Sequence, residues 1–363
     1  LSIRRQRQMC IRDRVLPITG KASIISIQTG DVNITNNIRT DGEIKTITPD
    51  GNGGYYLGGN FREVNGNPRT NICHIDAQRN LTSFNPNIQG TVNELFFDNG
   101  KLIIRGNYWR INNLDLQNFA VYYTASGEFT SSFINDSEIN LSISEGERFR
   151  LYNGRLYYIS KVNNQSKLCR FQIYSAFPSV EQLNFVGNSS VSEMLFRNDT
   201  AFIFGNFVQI GSALRNRTAA INLNSFSVLP WYPNANGTVS TAALDGNKLF
   251  LGGSFSSIGG RPCEGIAVID VTSALANEWN PSFTNINEID NRSSVGIINK
   301  LFTDNGKLYV GGIFTNIGSE YRSYFARFNT NDLSLDNWFS VADGSVKIIE
   351  KMGNDSVSYT HLT

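Results

Sequence analysis

Short apolar runs separated by Gly, Asn and Asp turn signals recur along nearly the whole chain, and no stretch carries the period of an amphipathic helix. One unit shows the pattern clearly. Val92 to Phe97 is a mixed apolar run, Asp98-Asn99-Gly100 is a tight hairpin signal, and Lys101 to Arg105 begin the partner strand. Equivalent turns stand at Asp304-Asn305-Gly306, Asp245-Gly246-Asn247 and Asn153-Gly154. After a Gly-Asn or Gly-Gly pair and an aromatic come a variable loop, a third strand such as Phe119 to Thr124, and a fourth ending in an aromatic residue. That residue is Phe84, Trp231 or Trp338, each eight positions before the next unit's first strand is anchored. The pattern therefore predicts four short strands per unit.

The units are copies of one another. GTVNELFFDNGKLIIRGNY (90–108) and GIINKLFTDNGKLYVGGIF (296–314) align without a gap and match at ten of nineteen positions. GEIKTITPDGNGGYYLGGNF (42–61) and GTVSTAALDGNKLFLGGSF (237–255) share the frame, SSVSEMLFRNDTAFIFGNF (189–207) keeps part of it, and GERFRLYNGRLYYISKV (146–162) is degenerate. Anchors at Ile44, Val92, Gly146, Val191, Val239, Ile298 and Val346 are spaced 48, 54, 45, 48, 59 and 48 residues apart. Four strands at a period near 50 point to propeller blades rather than to the shorter turns of a β-helix. Residues 22–40 read as the last two strands of another unit and Val346 onward as the start of one. The expected fold is an all-β propeller with six complete repeats and partial repeats at both ends that together make a seventh blade.

Composition narrows the function classes. The 363 residues are 40% hydrophobic but only 17% charged, with 32 Lys plus Arg against 31 Asp plus Glu, a net charge of +1. Nucleic-acid binding and polybasic membrane contact need clustered excess cations, which this balance argues against. No apolar run approaches the roughly 18 residues of a spanning helix. The 32 Gly and 44 Asn fit a chain full of turns. Residues 1–14, LSIRRQRQMCIRDR, differ from everything after them, and 357–363, VSYTHLT, break off the repeat. Both resemble translated sequencing adapter; a natural basic terminus is the alternative for the first, although no apolar signal segment follows Arg14. The expected organisation is flanks at 1–14 and 357–363 around one domain at 15–356. Without residues 1–14, which hold five Arg and one Asp, the balance becomes 27 basic to 30 acidic, or −3.

The phrases YLGGNFREVNGNPRTN, FLGGSFSSIGGRP and YVGGIFTNIGSEYRS, each followed by an apolar strand and then by WYPNANGTV or SFNPNIQGTV, carry a family resemblance. They resemble the delta-sixty repeat of bacterial secreted and cell-surface proteins, over about residues 22–355. The resemblance implies a β-propeller and supplies no catalytic motif. Neither the WD-type nor the kelch signature is matched.

Candidate chemistry is sparse. Apart from Cys10 in the flank, Cys73 and Cys169 fall in a third-strand slot that holds Ala120, Ala219, Ala267 and Ala326 in other units, so they read as small core residues; Cys263 stands outside it. His74 is the one histidine outside the flanks, which rules out a His ligand cluster and leaves it as the sole base for a Ser-His-Asp set. The Asp/Asn/Gly strings recur at hairpins, where turn chemistry explains them without calcium; no metal or cofactor is expected. Arg69, Arg215 and Arg322 stand four residues before the small slot and Arg261 six before it, which reads as a structural tie to backbone carbonyls or a neighbouring blade's carboxylate, with ligand binding as the alternative.

Departures from the repeat point to function. Two positions after each of the first six anchors, facing the central channel, stand Thr46, Glu94, Arg148, Glu193, Thr241 and Lys300, polar throughout and of mixed sign. Solvated lining is one reading; a binding or acid–base cluster using Glu94, Glu193, Arg148 and Lys300 is the other. Trp109 and Arg110 follow the Gly-Asn-aromatic triplet of the second unit and form a candidate stacking site for a sugar or a partner's side chain. The 59-residue spacing adds a loop with Glu288, Asp290 and Arg292. The expected function is a non-enzymatic binding or adhesion module for a protein or glycan ligand, one part of a larger extracellular or cell-surface polypeptide, with no nucleic-acid partner. The competing expectation is a carbohydrate-active hydrolase or lyase with paired carboxylates in the channel. Eleven N-x-S/T sequons between Asn33 and Asn354 are unsurprising among 44 Asn.

Overall fold

The hairpin signals fold as their residues dictate. Asn99 (φ 46°) and Gly100 (φ 72°) are both left-handed, as are Asn305 and Gly306 (45° and 73°) and Asn153 and Gly154 (49° and 70°), the requirement of a type I′ turn. At the fourth turn only Gly246 (φ 56°) is left-handed, and it stands first, where a II′ turn needs glycine. The structure, a computed structural model, describes residues 22–26, 38–130, 149–162, 165–172, 181–185, 189–286, 292–338, 344–352 and 355–360. The described residues are all-β.

Six antiparallel sheets follow in chain order. The first has strands Glu43–Pro49, Tyr55–Asn60 and Ile72–Ile75. The second has Ile88–Asp98, Lys101–Ile111, Phe119–Tyr123 and Glu128–Thr130. The third has Phe149–Tyr152, Arg155–Val162, Gln165–Gln172 and Glu181–Asn184, and the fourth Ser190–Arg197, Thr200–Asn206, Thr218–Asn222 and Ser227–Val228. The fifth has Val239–Asp245, Lys248–Gly253 and Ile266–Asp270, the sixth Ile297–Asp304, Lys307–Ile313 and Phe325–Asn329. In the first, fifth and sixth sheets the expected fourth strand shrinks to a single bridge, Ile75 with Leu81, Ile269 with Ala276 and Phe328 with Leu335. A further sheet joins both ends of the chain: Val346–Met352 pairs with Asp355–Thr360, which pairs with Ala22–Ser26. The stretch 357–360, read from the sequence as flank, thus forms part of a strand; residues 1–14 lie outside the described residues.

First strands pack against one another, that of the first sheet with the second, the second with the third, the fourth with the fifth and the fifth with the sixth, and Val346–Met352 touches both Ile297–Asp304 and Glu43–Pro49. This is the inner ring of a β-propeller. Paired glycines in the second strands of the first, fifth and sixth blades make the packing possible there. A Cβ on Gly58 would stand 2.5 Å from Val92 Cγ1, on Gly252 2.7 Å from Ile298 Cγ2, and on Gly311 2.6 Å from Val346 Cγ1, so the β-branched anchor of each next blade fills the missing side chain's place. One residue later the constraint is backbone: at Gly59, Gly106, Gly205, Gly253 and Gly312 a Cβ would meet a first-strand carbonyl oxygen at 1.9 to 2.1 Å. The cores lie between blades. Phe84 packs between Tyr56 of the first blade and Tyr122 of the second, with ring centroids 5.4 and 5.0 Å away. Trp231 and Trp279 donate their indole N–H to Asp270 and Leu333 carbonyls of the following blade at 3.5 and 2.9 Å.

Because successive strands are antiparallel, the loops entering each first strand and those joining second to third strands share one face. Hydrogen bonds stitch the two kinds of loop together there: Asn112 N–H to Pro86 O (2.9 Å), Gly211 to Asn184 (2.7 Å), Gly259 to Pro233 (2.7 Å) and Gly318 to Ser282 (2.8 Å).

Candidate functional site

A β-bulge recurs at the same place in the first strands, between Ile44 and Thr46, Val92 and Glu94, Val191 and Glu193, Val239 and Thr241, and Ile298 and Lys300. The extra residue re-aims the next side chain, which is how the position two after each anchor comes to be polar yet enclosed. Thr46 Oγ1 accepts the N–H of Leu95, and Thr241 Oγ1 that of Leu301, both at 3.0 Å, so the threonines pin one blade to the next.

The charged members form a chain of ion pairs across blades. Arg105 donates to Glu94 Oε2 at 2.6 Å, and the Phe149 N–H reaches the same oxygen at 3.3 Å. Arg150 stands 3.9 Å from Glu94 Oε1 with one guanidinium nitrogen and donates to Glu193 Oε1 with the other. Lys300 completes the chain, donating to Glu193 Oε2 at 3.2 Å. Glu193 and Arg105 side chains are only 3% and 2% exposed, whereas Arg150 and Lys300 keep about a fifth of their surface in solvent. The structure therefore brings together three of the expected residues, Glu94, Glu193 and Lys300.

The remaining expected members are arranged differently. Arg148 lies outside the described residues, as do Glu288 and Asp290. The guanidinium that bridges the two carboxylates belongs to Arg150, two residues further along, where period-two alternation returns the side chain to the same face. Arg105 is the other residue the sequence reading passed over. Its signal was present: it occupies the slot of Gly58, Gly252 and Gly311, and a charged side chain in a glycine slot needs a partner and space. Arg105 has both, with its guanidinium 4.3 Å over the Phe149 ring.

Trp109 and Arg110 belong to the loop face, four and five residues beyond Arg105 on the same strand, about 13 Å or more along it. Trp109 is 59% exposed, and its indole N–H donates to Gln89 Oε1 at 3.2 Å. Arg110 stands 3.7 Å from Asp115.

The other candidates have structural partners. Cys73 and Cys169 lie opposite Leu57 and Tyr158, the register that Ala120, Ala219, Ala267 and Ala326 keep with Ile104, Ile203, Leu251 and Val310. Cys73, Cys169 and Cys263 are buried thiols, and burial pushes the Cys73 thiol up to about 12. His74 Nε2 sits 2.9 Å from Asp50 Oδ2, and its Nδ1 lies 3.4 Å from Thr82 Oγ1. That order of hydroxyl, imidazole and carboxylate is taken up with holding backbone: Thr82 donates to the His74 carbonyl at 3.2 Å, and Asp50 accepts turn N–H groups of Asn52 and Gly54 at 2.7 and 2.9 Å. Among the described residues no group of three His, Cys, Asp or Glu is placed to hold a metal ion. Arg69, Arg215 and Arg322 each donate to the carbonyl of the preceding residue at 2.7 to 2.8 Å and to a carbonyl of the outer segment, Thr82, Leu229 or Asp336.

Blades of this topology, packed edge to centre with stitched loops on one face, define a β-propeller, a fold that serves binding and scaffolding in general. A family model described as "Domain of unknown function (DUF5122) beta-propeller" matches residues 303–339. No curated protein matches the chain. Among solved structures, a chain of a mitotic checkpoint complex is similar over 90% of this chain and 93% of its own, with 9% identity and a TM-score of 0.54. The β-propeller domain of Myceliophteria thermophila Cps50 (Swd1) is similar over 90% and 99%, with 8% identity and a TM-score of 0.50. These likenesses are of fold. Among the described residues no helix is long and apolar enough to cross a membrane.

Proposed function

We propose that the chain is a non-enzymatic binding module that engages a protein or glycan through the face carrying the stitched loops. One observation carries this reading. Among the described residues, the large hydrophobics that stand exposed are Trp109, Leu114, Val208, Leu214, Val295, Ile297 and Leu275, and all but Leu275 lie on loops or strand ends of that face. Apolar surface left in water on one side of a molecule is the usual mark of an interaction site.

The carboxylate pair of the channel does not support the enzyme reading. Glycosidases need one carboxyl that can give up a proton to the leaving group. The contacts described for Glu94 and Glu193 are to cations and backbone N–H groups, which engage both carboxyl groups in ties within the ring. The network reads as a tie between the second, third, fourth and sixth blades.

Three further parts of the proposal rest on the sequence pattern. The repeat phrases support membership of the delta-sixty family, and with it a secreted or cell-surface setting as one module of a larger polypeptide. The sheet shared by both chain ends supports a count of seven blades. The loop-face reading is tested by probing protein and glycan arrays with the wild-type chain and with Trp109→Ala, Val208→Ser, Leu214→Ser and Leu275→Ser. Binding that falls in at least one of the first three and persists for Leu275→Ser is expected. A ligand that responds only to Leu275→Ser would place recognition on the opposite face and sink the proposal.

A further inference from the structure

The hairpin of the second blade is longer than its counterparts, eleven residues in each strand, and it carries a register irregularity the other blades lack. Gln89 pairs with Arg110 and Gly90 with Tyr108, which leaves Trp109 as the extra residue of a second bulge. The bulge explains a burial pattern that strict alternation forbids. Tyr108 and Ile111 are three apart, yet both are buried, because the inserted residue resets the phase between them. Trp109 is the residue this leaves facing solvent. Gly90 makes the distortion possible: at φ 132° it has a backbone that side chains rarely adopt, and a Cβ there would stand 2.2 Å from the Asn107 carbonyl oxygen.

The indole so placed is also fixed. Its single donor is satisfied by Gln89 at 3.2 Å, and Gln89 sits on the paired strand. A ring held at its N–H edge on a hydrogen-bonded ribbon offers its faces to a ligand with little ordering left to do. The rest of this hairpin end is rich in planar polar groups: Asn107, Asn112 and Asp115 are exposed and Arg110 is half-buried, with Leu114 the other exposed apolar residue.

We propose that Trp109 is a stacking platform for a saccharide, with the neighbouring amide, guanidinium and carboxylate groups available to its hydroxyls. A sugar ring presents one face of C–H groups, which suits an aromatic face, and a rim of hydroxyl pairs, each both donor and acceptor, which suits amides and charged planar groups. A protein partner would call for a desolvated apolar cluster around the aromatic anchor, and at this hairpin end the exposed neighbours other than Leu114 are polar. This inference rests on the loop-face reading and narrows it to one ligand class and one blade.

The test uses the full chain on an array of neutral and acidic oligosaccharides, alongside a peptide array, with Trp109→Ala, Trp109→Phe, Gln89→Ala and the loop-face control Leu214→Ser. Trp109 is the exposed indole among tryptophans otherwise packed between blades, so far-ultraviolet circular dichroism and melting of Trp109→Ala should match wild type. Expected is saccharide binding weakened by about ten-fold or more in Trp109→Ala, partly retained in Trp109→Phe, weakened less in Gln89→Ala, and unchanged in Leu214→Ser. In the wild type the bound sugar should shield Trp109 fluorescence from acrylamide. No saccharide hit, or a hit that Trp109→Ala binds as tightly as wild type, overturns the platform. Peptide binding lost in Leu214→Ser but kept in Trp109→Ala would overturn it while leaving the loop-face reading standing; binding indifferent to every loop-face variant defeats both.

Discussion

Asp336 lies between two cations, Lys307 at 2.7 Å and Arg327 at 3.1 Å, while its second oxygen accepts the Trp338 N–H at 2.9 Å. Burial works against ionisation, but these hydrogen bonds outweigh it and hold the carboxyl well below the usual carboxylate range. A carboxyl depressed in the folded state stabilises the fold above its unfolded value, near 4, and that contribution is lost as pH falls from there toward the folded value. Asp336→Asn should therefore lower stability at neutral pH by roughly 1–3 kcal/mol, and the gap to wild type should close below about pH 4, read by urea unfolding across pH. The channel network makes a second residue-scale prediction. Glu94→Gln removes the carboxylate nearest a guanidinium that is 2% exposed, and breaking such a pair costs roughly 3–5 kcal/mol. Arg105→Leu with Glu94→Gln should cost clearly less than the two single changes added together, the mark of direct coupling. At this scale the sequence revealed types better than partners. Glu94, Glu193 and Lys300 stood out because a repeat exposes every departure from itself, but which charges meet depends on the bulge and on side-chain reach, so Arg105 and Arg150 went unmarked.

The Gly-Gly pair in the second strands of the first, fifth and sixth blades looks like one feature in sequence and is two in space. The first glycine makes room for a neighbour's side chain, the second for a carbonyl of its own blade. Gly252→Ala puts a methyl 2.7 Å from Ile298 Cγ2 and 2.9 Å from Thr241 Cγ2, a crowding of the kind that costs roughly 1–3 kcal/mol. Gly253→Ala meets the Thr238 carbonyl oxygen at 2.0 Å, where only backbone movement gives relief, and should cost more. Trimming the neighbour with Ile298→Ala, which removes Cγ2, should narrow the deficit of Gly252→Ala and leave that of Gly253→Ala unchanged; thermal melting of the wild type, the three single variants and the two doubles decides it. Element types were legible from turn residues and apolar runs, including each I′ hairpin. The outer strands were over-read. In the first, fifth and sixth blades the outer segment pairs through a single bridge, at Leu81, Ala276 or Leu335.

The ring as a whole depends on a seam made from both ends of the chain. Ala22–Ser26 pairs with Asp355–Thr360, Ile24 opposite Val357 and Ser26 opposite Asp355, and this sheet's first strand touches the first strands of the first and sixth blades. Val346 fills the place of the side chain missing at Gly311, the contact that every other Gly-Gly blade makes with its successor. The repeat period announced this closure in outline, since half-units were visible at both ends, but period alone cannot say where pairing stops, and residues 357–360 take part in it although their sequence departs from the repeat. Closure links the ends as a clasp does, so its loss should be felt beyond the residues removed. A chain truncated after Ser356 keeps only the pairs at Ile25 and Ser26 on this strand, and one lacking residues 1–26 keeps none. Each should melt lower than the full chain, by about 5–10 °C if the seam contributes a few kcal/mol in a domain of this size. The removal of residues 1–14 alone, which includes no described strand, should leave the melting temperature where it was; a drop as large as that of the 1–26 deletion would show that the stabilising element lies upstream of Ala22.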